Sequence, residues 1–204
     1  MIDLYAAGTS NGMRARIALE ECGLAYKLHP VALDKGEQKT PQFLAMNPMG
    51  QIPVLVDNEG PGGKPVTLSQ STAILMYVAE KSGKYLPRDP AARPAMLQAL
   101  MSASTDVTPT FGTIFGIVRG KDPHGPTAEM FKDRLKGMFK VWDGFLGKRK
   151  YAAGDEVTIA DFSLYAGYVR AKNALPDTCG EMPNLERWAK EIGARPGVQR
   201  ALKF

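Results

Sequence analysis

A proline stands at the entrance of an apolar run, in the stretch Asn47-Pro48-Met49-Gly50-Gln51-Ile52-Pro53-Val54-Leu55-Val56-Asp57. Pro53 has no amide hydrogen and cannot pair as a central strand residue, so the buried strand Val54-Leu55-Val56 must start after it or lie at an edge. A cis bond between Ile52 and Pro53 would turn the Ile52 main chain outward, its donor and acceptor unpaired. An extended peptide could then lie beside Ile52, as a strand adds to a sheet edge. Further on, Leu68-Ser69-Gln70-Ser71-Thr72-Ala73-Ile74-Leu75 reads as a strand ending in polar residues that open a helix. Amide hydrogens at such a helix start attract a carboxylate. Together the two stretches describe a site for a small peptide-like anion, paired at Ile52 and gripped at Gln70 and Ser71. The alternative is an ordinary pair of loop junctions.

The surrounding chain supports a fold. Ile2 to Tyr5 alternate as a short strand, Thr9-Ser10-Asn11-Gly12 is a turn of helix-capping types, and Met13 to Cys22 run as a helix stopped by Gly23. Ala25 to Val31 form a second strand, expected to lie parallel to the first. A polar, lysine-rich loop over Asp34 to Thr40 leads to a helical turn at Pro41 to Met46. Val54 to Asp57 and Val66 to Leu68 are joined by a hairpin connection, and Ser71 to Lys81 form a helix ended by Gly83. This order of βαβ, short helix, β, β, α is that of an α/β thioredoxin-like domain, here residues 1–83. Residues 84–91 read as a linker, and residues 92–204 as an all-α domain.

In that second part, Pro109 should kink or break the helix that begins at Ala92. A loop over Gly120 to Pro126 precedes an amphipathic helix from Thr127 to Leu146. Its candidate core residues are Met130, Phe131, Leu135, Met138, Val141, Trp142 and Phe145. Ile159 to Ala174 form the most apolar helix, opened by the capping box Thr158-Ile159-Ala160-Asp161, which makes Asp161 a structural residue. Pro183 to Ala194 and a short tail helix close the chain.

Composition removes several function classes. No run of about 18 apolar residues is present, so a membrane-spanning helix is not expected. No signal-peptide pattern precedes the first strand, and Cys22 and Cys179 lie apart without a motif, which suits the cytoplasm. The only histidines, His29 and His124, have no metal-binding spacing. The net charge is +5, but acidic residues interrupt the basic ones nearly everywhere outside Lys148-Arg149-Lys150. Nucleic acid is therefore not the expected partner.

A thioredoxin-like fold keeps its reactive position between the first strand and first helix. Thioredoxins carry Cys-x-x-Cys there; this chain has Thr9-Ser10-Asn11-Gly12. Sulfur chemistry must therefore use a thiol on the ligand, which titrates near pH ~8.5 when unperturbed. Hydroxyl or amide donors at a helix N-terminus favour its thiolate.

Asn-Pro-x-Gly-x-Ile-Pro-x-Leu followed by Gln-Ser-x-Ala-Ile resembles the glutathione-binding half of the cytosolic glutathione transferases. The resemblance implies a cis bond before Pro53, pairing of the glutathione cysteinyl backbone with Ile52, and capture of the γ-glutamyl end by Gln70 and Ser71. Gln51 and Pro53 belong to the same motif. The turn Thr9-Ser10-Asn11-Gly12 is similar to the Thr-Pro-Asn-Gly turn of the bacterial nu-class and yeast nitrogen-regulator-like groups, which nominates Thr9 and Asn11 as sulfur donors. Ser10 replaces the usual proline and is a third candidate, since serine serves in other classes. Tyr5, used in still other classes, reads here as core.

Gln38 matches a glutamine that contacts glutathione in nu-class relatives, with Lys35 and Lys39 beside it. The arginine that closes over the ligand in those relatives is not carried over, because Asp133 stands at its place and Arg134 next to it. The resemblance further implies glutathione as co-substrate without a metal, a homodimer, and a second substrate that is hydrophobic or a disulfide. Thr108, Phe111 and Phe115 are nominated for its pocket. Disulfide or peroxide reduction, conjugation to an electrophile, and a non-catalytic binding protein of the same fold all remain open.

Overall fold

The computed structural model describes residues 1–120 and 125–204. His124 and residues 121–123 of the expected loop lie outside them, and Gly125 and Pro126 already belong to a helix. Two compact units are formed, Met1–Tyr85 with Arg195–Phe204, and Leu86–Ala194.

The first unit is built on a four-stranded sheet in the order β2-β1-β3-β4. Its strands are β1 (Ile2–Ala6), β2 (Tyr26–Pro30), β3 (Val54–Asp57) and β4 (Val66–Ser69). β1 and β2 are parallel, as the βαβ reading expects, and β3 runs antiparallel to both β1 and β4. Along β1, the buried residues Ile2, Leu4 and Ala6 alternate with the half-buried Asp3 and Tyr5, the period of a pleated strand covered on both faces. Tyr5 packs with Ile52 and Val56 on a cluster of Val31, Phe43 and Val54. It also stacks on His29, with ring centroids 4.5 Å apart. Tyr5 thus packs at the margin of the core, partly buried.

Helix α1 (Ser10–Cys22) starts earlier than the apolar period suggests, because Thr9 caps it: Thr9 Oγ1 accepts from the Gly12 amide at 3.2 Å. Gly12 is obligatory, since a Cβ there would lie 2.0 Å from the Ala7 carbonyl oxygen. Gly23 ends the helix at φ 72°, donating to Glu20, while Leu24 donates to Leu19. Short α2 (Pro41–Met46) and the longer α3 (Ser71–Ser82) complete the order read from the sequence.

The segment from Arg195, expected with the helical part, packs in this first unit. Arg195 pairs with Glu21 at 2.6 Å and Arg200 with Glu20 at 2.7 Å. The Arg16 guanidinium lies 4.9 Å from the Phe204 ring centroid. Together these contacts hold the last helix against α1.

The second unit is helical: α4 (Arg93–Met101), α5 (Thr108–Arg119), α6 (Gly125–Leu146), α7 (Ile159–Ala174), the short α8 (Pro176–Cys179) and α9 (Pro183–Gly193). The first unit's closing helix, α10, is Pro196–Ala201. Pro109 does not break the chain. A widened π turn over Ser102–Val107 joins α4 to α5, and the Thr108 amide reaches back to the Ala103 carbonyl. The wider turn accommodates a ring that has no N–H to give and would crowd the preceding turn.

The expected core of α6 needs correction. Ala128, Leu135, Phe139, Trp142 and Leu146 are its buried residues, while Met130 (59 % exposed), Val141 (56 %) and Phe145 face outward. Apolar residues occupy both sides of this helix, so hydrophobicity alone did not mark the inward stripe.

The box at the start of α7 is complete. Asp161, fully buried, accepts from the amides of Ala152 (2.8 Å) and Thr158 (2.9 Å) and from the Trp188 indole (2.8 Å). Among the described residues no helix is long and apolar enough to cross a membrane.

Candidate functional site

The strand register assembles the site. Tyr5 lies opposite Val54, and Val54 opposite Ser69. The end of β1, the start of β3 and the end of β4 therefore meet at one end of the sheet. The turn Thr9–Gly12, the Ile52-Pro53 step and the Gln70-Ser71 junction are thereby brought to that end, as the sequence reading required.

The Ile52-Pro53 bond is cis. Neither the Ile52 N–H nor its C=O is hydrogen-bonded by any other described residue, although the Ile52 side chain is held on the Val31–Phe43–Val54 cluster. The preceding loop is stapled by buried Asn47, whose Nδ2 donates to the Gln51 carbonyl at 2.7 Å and whose Oδ1 accepts from the Met49 amide at 3.2 Å. Gly50 sits at φ 60°, and a Cβ there would lie 2.6 Å from Lys39 Nζ and 2.9 Å from the Gln38 carbonyl oxygen. This close approach brings Gln38 and Lys39 against the loop.

Lys39 donates to the Met49 carbonyl at 3.3 Å, so it braces the loop. Lys35 is exposed. Gln38 donates from Nε2 to the Leu33 carbonyl at 3.4 Å, which leaves its buried Oε1 without a hydrogen-bond partner. A buried acceptor of this kind normally has a donor. The Gln51 side chain is exposed and Pro53 is buried.

At the junction of β4 and α3, Gln70 adopts φ 70° and ψ 110°, a conformation rare for a residue with a side chain. Gln70 makes no side-chain cap, so its side chain does not occupy the first-turn amides of α3. Such strained positions are found at ligand clamps. Ser71 is buried, and its Oγ donates to Asn11 Oδ1 at 3.2 Å. Asn11 and Ser71, nominated for the sulfur and the γ-glutamyl end of the ligand, are therefore in direct contact. Of the three sulfur candidates Ser10 is buried, whereas Thr9 and Asn11 are part-exposed. The Thr9 hydroxyl accepts from Gly12 and keeps its own hydrogen free to donate.

Sequence reasoning missed Arg14. It is 1 % exposed, and its Nη1 donates to Asn11 Oδ1 at 3.1 Å and to Ser71 Oγ at 3.4 Å. Burial pulls the guanidinium pKa down to about 10, so it remains charged at neutral pH. A cation here favours an anion at this end of the sheet. The available signal was spacing, because Arg14 lies three residues after Asn11, on the same helix face.

Of the residues nominated for a second-substrate pocket, Phe111 is buried and Thr108 is tied to the Ala103 carbonyl at 3.1 Å. Phe115 lies under the Arg119 guanidinium at 4.2 Å. Among the described residues no group of three or more His, Cys, Asp or Glu is placed to hold a metal.

Residues 2–80 match the model of the glutathione S-transferase N-terminal domain, and residues 114–203 that of a glutathione S-transferase C-terminal domain. The chain is 33 % identical to the disulfide-bond oxidoreductase YfcG of Escherichia coli, over 99 % of this chain and 94 % of that protein. It is 32 % identical to a second Escherichia coli disulfide-bond oxidoreductase, YghU, over 98 % of this chain and 73 % of that one.

Among solved structures, it superposes with a TM-score of 0.90 and 33 % identity on a glutathione transferase family member from Pseudomonas fluorescens with two glutathione bound. That match covers 99 % of this chain and 92 % of the other. A Pseudomonas putida glutathione transferase, with one glutathione disulfide bound per subunit, matches with a TM-score of 0.89 and 32 % identity over 100 % and 91 % of the two chains. With the thioredoxin-like sheet, the helical second unit and these likenesses taken together, the chain belongs to the glutathione S-transferase family.

Proposed function

We propose that this protein binds glutathione at the described end of the sheet and uses its thiolate to reduce disulfides, as a member of the nu-like group. The observation that carries the proposal is the Ile52 main chain, presented unpaired beside the start of α3. Glutathione has a peptide backbone to pair with Ile52 and an α-carboxylate at its γ-glutamyl end for the amides of α3 with Gln70 and Ser71. The glutathione and glutathione disulfide bound to the solved relatives, and the disulfide-bond oxidoreductase activity in the names of YfcG and YghU, support this reading.

In the reaction, the thiolate of one glutathione attacks a disulfide sulfur, a mixed disulfide forms and the leaving thiolate takes up a proton. A second glutathione thiolate then attacks the glutathione sulfur of that mixed disulfide, giving glutathione disulfide and releasing the second product thiol. Thr9 and Asn11 donate hydrogen bonds to the attacking thiolate and lower its pKa towards neutrality. Ser10, being buried, supports the turn. Conjugation to an electrophile and peroxide reduction would use the same thiolate. Further parts of the reading are a homodimer, a cytoplasmic setting and a role in detoxification.

A hydrogen bond to a charged group contributes about 1.5–3 kcal/mol. Thr9→Ala and Asn11→Ala should therefore each lower kcat/KM for a glutathione mixed disulfide by about ten- to a hundredfold. Parallel assays with an aryl halide rank disulfide reduction against conjugation. Full activity in both variants would defeat the sulfur assignment. Glutathione binding by a wild-type protein without turnover would favour the non-catalytic reading.

A further inference from the structure

Asn11 can serve a thiolate with only one end of its side chain. The amide Nδ2 donates hydrogen bonds, whereas the carbonyl Oδ1 would repel an anion. The two ends are nearly the same size, so shape alone does not choose between them. Here two donors converge on Oδ1: Arg14 Nη1 at 3.1 Å and Ser71 Oγ at 3.2 Å. Turning the amide over would place its N–H groups against a guanidinium and a hydroxyl that is itself donating. Arg14 also donates to Ser71 Oγ at 3.4 Å, closing a triangle.

We propose that Arg14 is a positioning residue for the sulfur chemistry, holding Asn11 with Nδ2 turned to the thiolate and tying that setting through Ser71 to the α3 N-terminus where the acidic end of the ligand docks. The proposal rests on the glutathione reading above. Ser71 gives its hydroxyl hydrogen to Asn11, so the carboxylate is left to the main-chain amides of α3. None of this requires Arg14 to touch the ligand.

The test measures the pH dependence of kcat/KM for glutathione, together with the ultraviolet absorbance of the bound thiolate, in Arg14→Met, Arg14→Lys, Asn11→Ala and the double variant Arg14→Met/Asn11→Ala. In Arg14→Met the thiolate midpoint should rise by about one pH unit, and kcat/KM at neutral pH should fall about tenfold, the equivalent of that shift. The loss should fall mainly on kcat. In the Asn11→Ala background the Arg14 substitution should change the midpoint little further, because its effect passes through Asn11.

Arg14→Lys keeps the charge but presents a single point donor, and an intermediate midpoint is expected. It also carries the test if Arg14→Met does not fold. An unchanged midpoint in the Arg14 variants, or losses that simply add to those of Asn11→Ala, would overturn the positioning role while leaving glutathione binding intact. A wild-type protein that neither binds glutathione nor acidifies its thiol would instead remove the reading beneath it.

Discussion

Asp161→Ala should be among the most destabilising single substitutions in the second unit, by an amount the structure allows to be worked out. The carboxylate is fully buried and is the acceptor for three N–H donors, from Ala152, Thr158 and the Trp188 side chain. Truncation strands all three, at about 1–3 kcal/mol each. Relief of the carboxylate's own desolvation, which pushes its pKa up, offsets part of that sum. The net loss should be about 3–5 kcal/mol, in the range found when one member of a buried charged network is removed.

A helix cap alone would be worth only about 1 kcal/mol. The additional loss comes from Ala152 and Trp188, which join the loop before α7 and helix α9 to the same carboxylate. Asp161→Asn keeps one acceptor oxygen and should lose about 2 kcal/mol. Urea unfolding at neutral pH, followed by tryptophan fluorescence, gives both values. A loss below about 1 kcal/mol in the alanine variant, or equal losses in the two variants, would refute the network argument.

Asp57 gives a pH prediction. Burial would raise its pKa, but the bonds from Lys81, Tyr77 and the Glu59 amide hold it below the usual carboxylate value. A depressed folded pKa means stability that is present above the unfolded value of about 4 and lost as pH falls through the folded one. Lys81→Met should therefore move the acid-unfolding limb to higher pH in urea titrations between about pH 3 and 6; an unmoved limb would contradict it. Gln70→Gly relieves the positive φ, so it should cost less than about 0.5 kcal/mol in stability while raising the KM for glutathione severalfold. A large loss of stability would show that Gln70 is held for packing instead.

The sequence showed the fold where local chemistry decides it. Gly23 and Gly83 stop helices, Thr158 with Asp161 starts one, and Pro53 marks where β3 begins. It marked the candidate site where a motif is contiguous, at Ile52-Pro53 and Gln70-Ser71. Arg14 was missed, despite its spacing from Asn11, because a charged residue in a helix ordinarily reads as solvent-facing. One of its buried hydrogen-bond partners, Ser71, lies 57 positions away along the chain. Met130, Val141 and Phe145 were misplaced because α6 is apolar on more than one face. The packing of the last helix on α1 depends on ion pairs between residues about 180 positions apart, which no window of sequence contains. Pro109 was read as a kink or break, but a change of hydrogen-bond register absorbed it.

The most direct measurement is a crystal structure of the protein grown with glutathione. The cysteinyl backbone should pair with both the N–H and the C=O of Ile52, the γ-glutamyl carboxylate should meet the Ser71 amide, and the sulfur should face Thr9 and Asn11 Nδ2. Glutathione bound elsewhere, with the Ile52 main chain still unpaired, would contradict the proposed site.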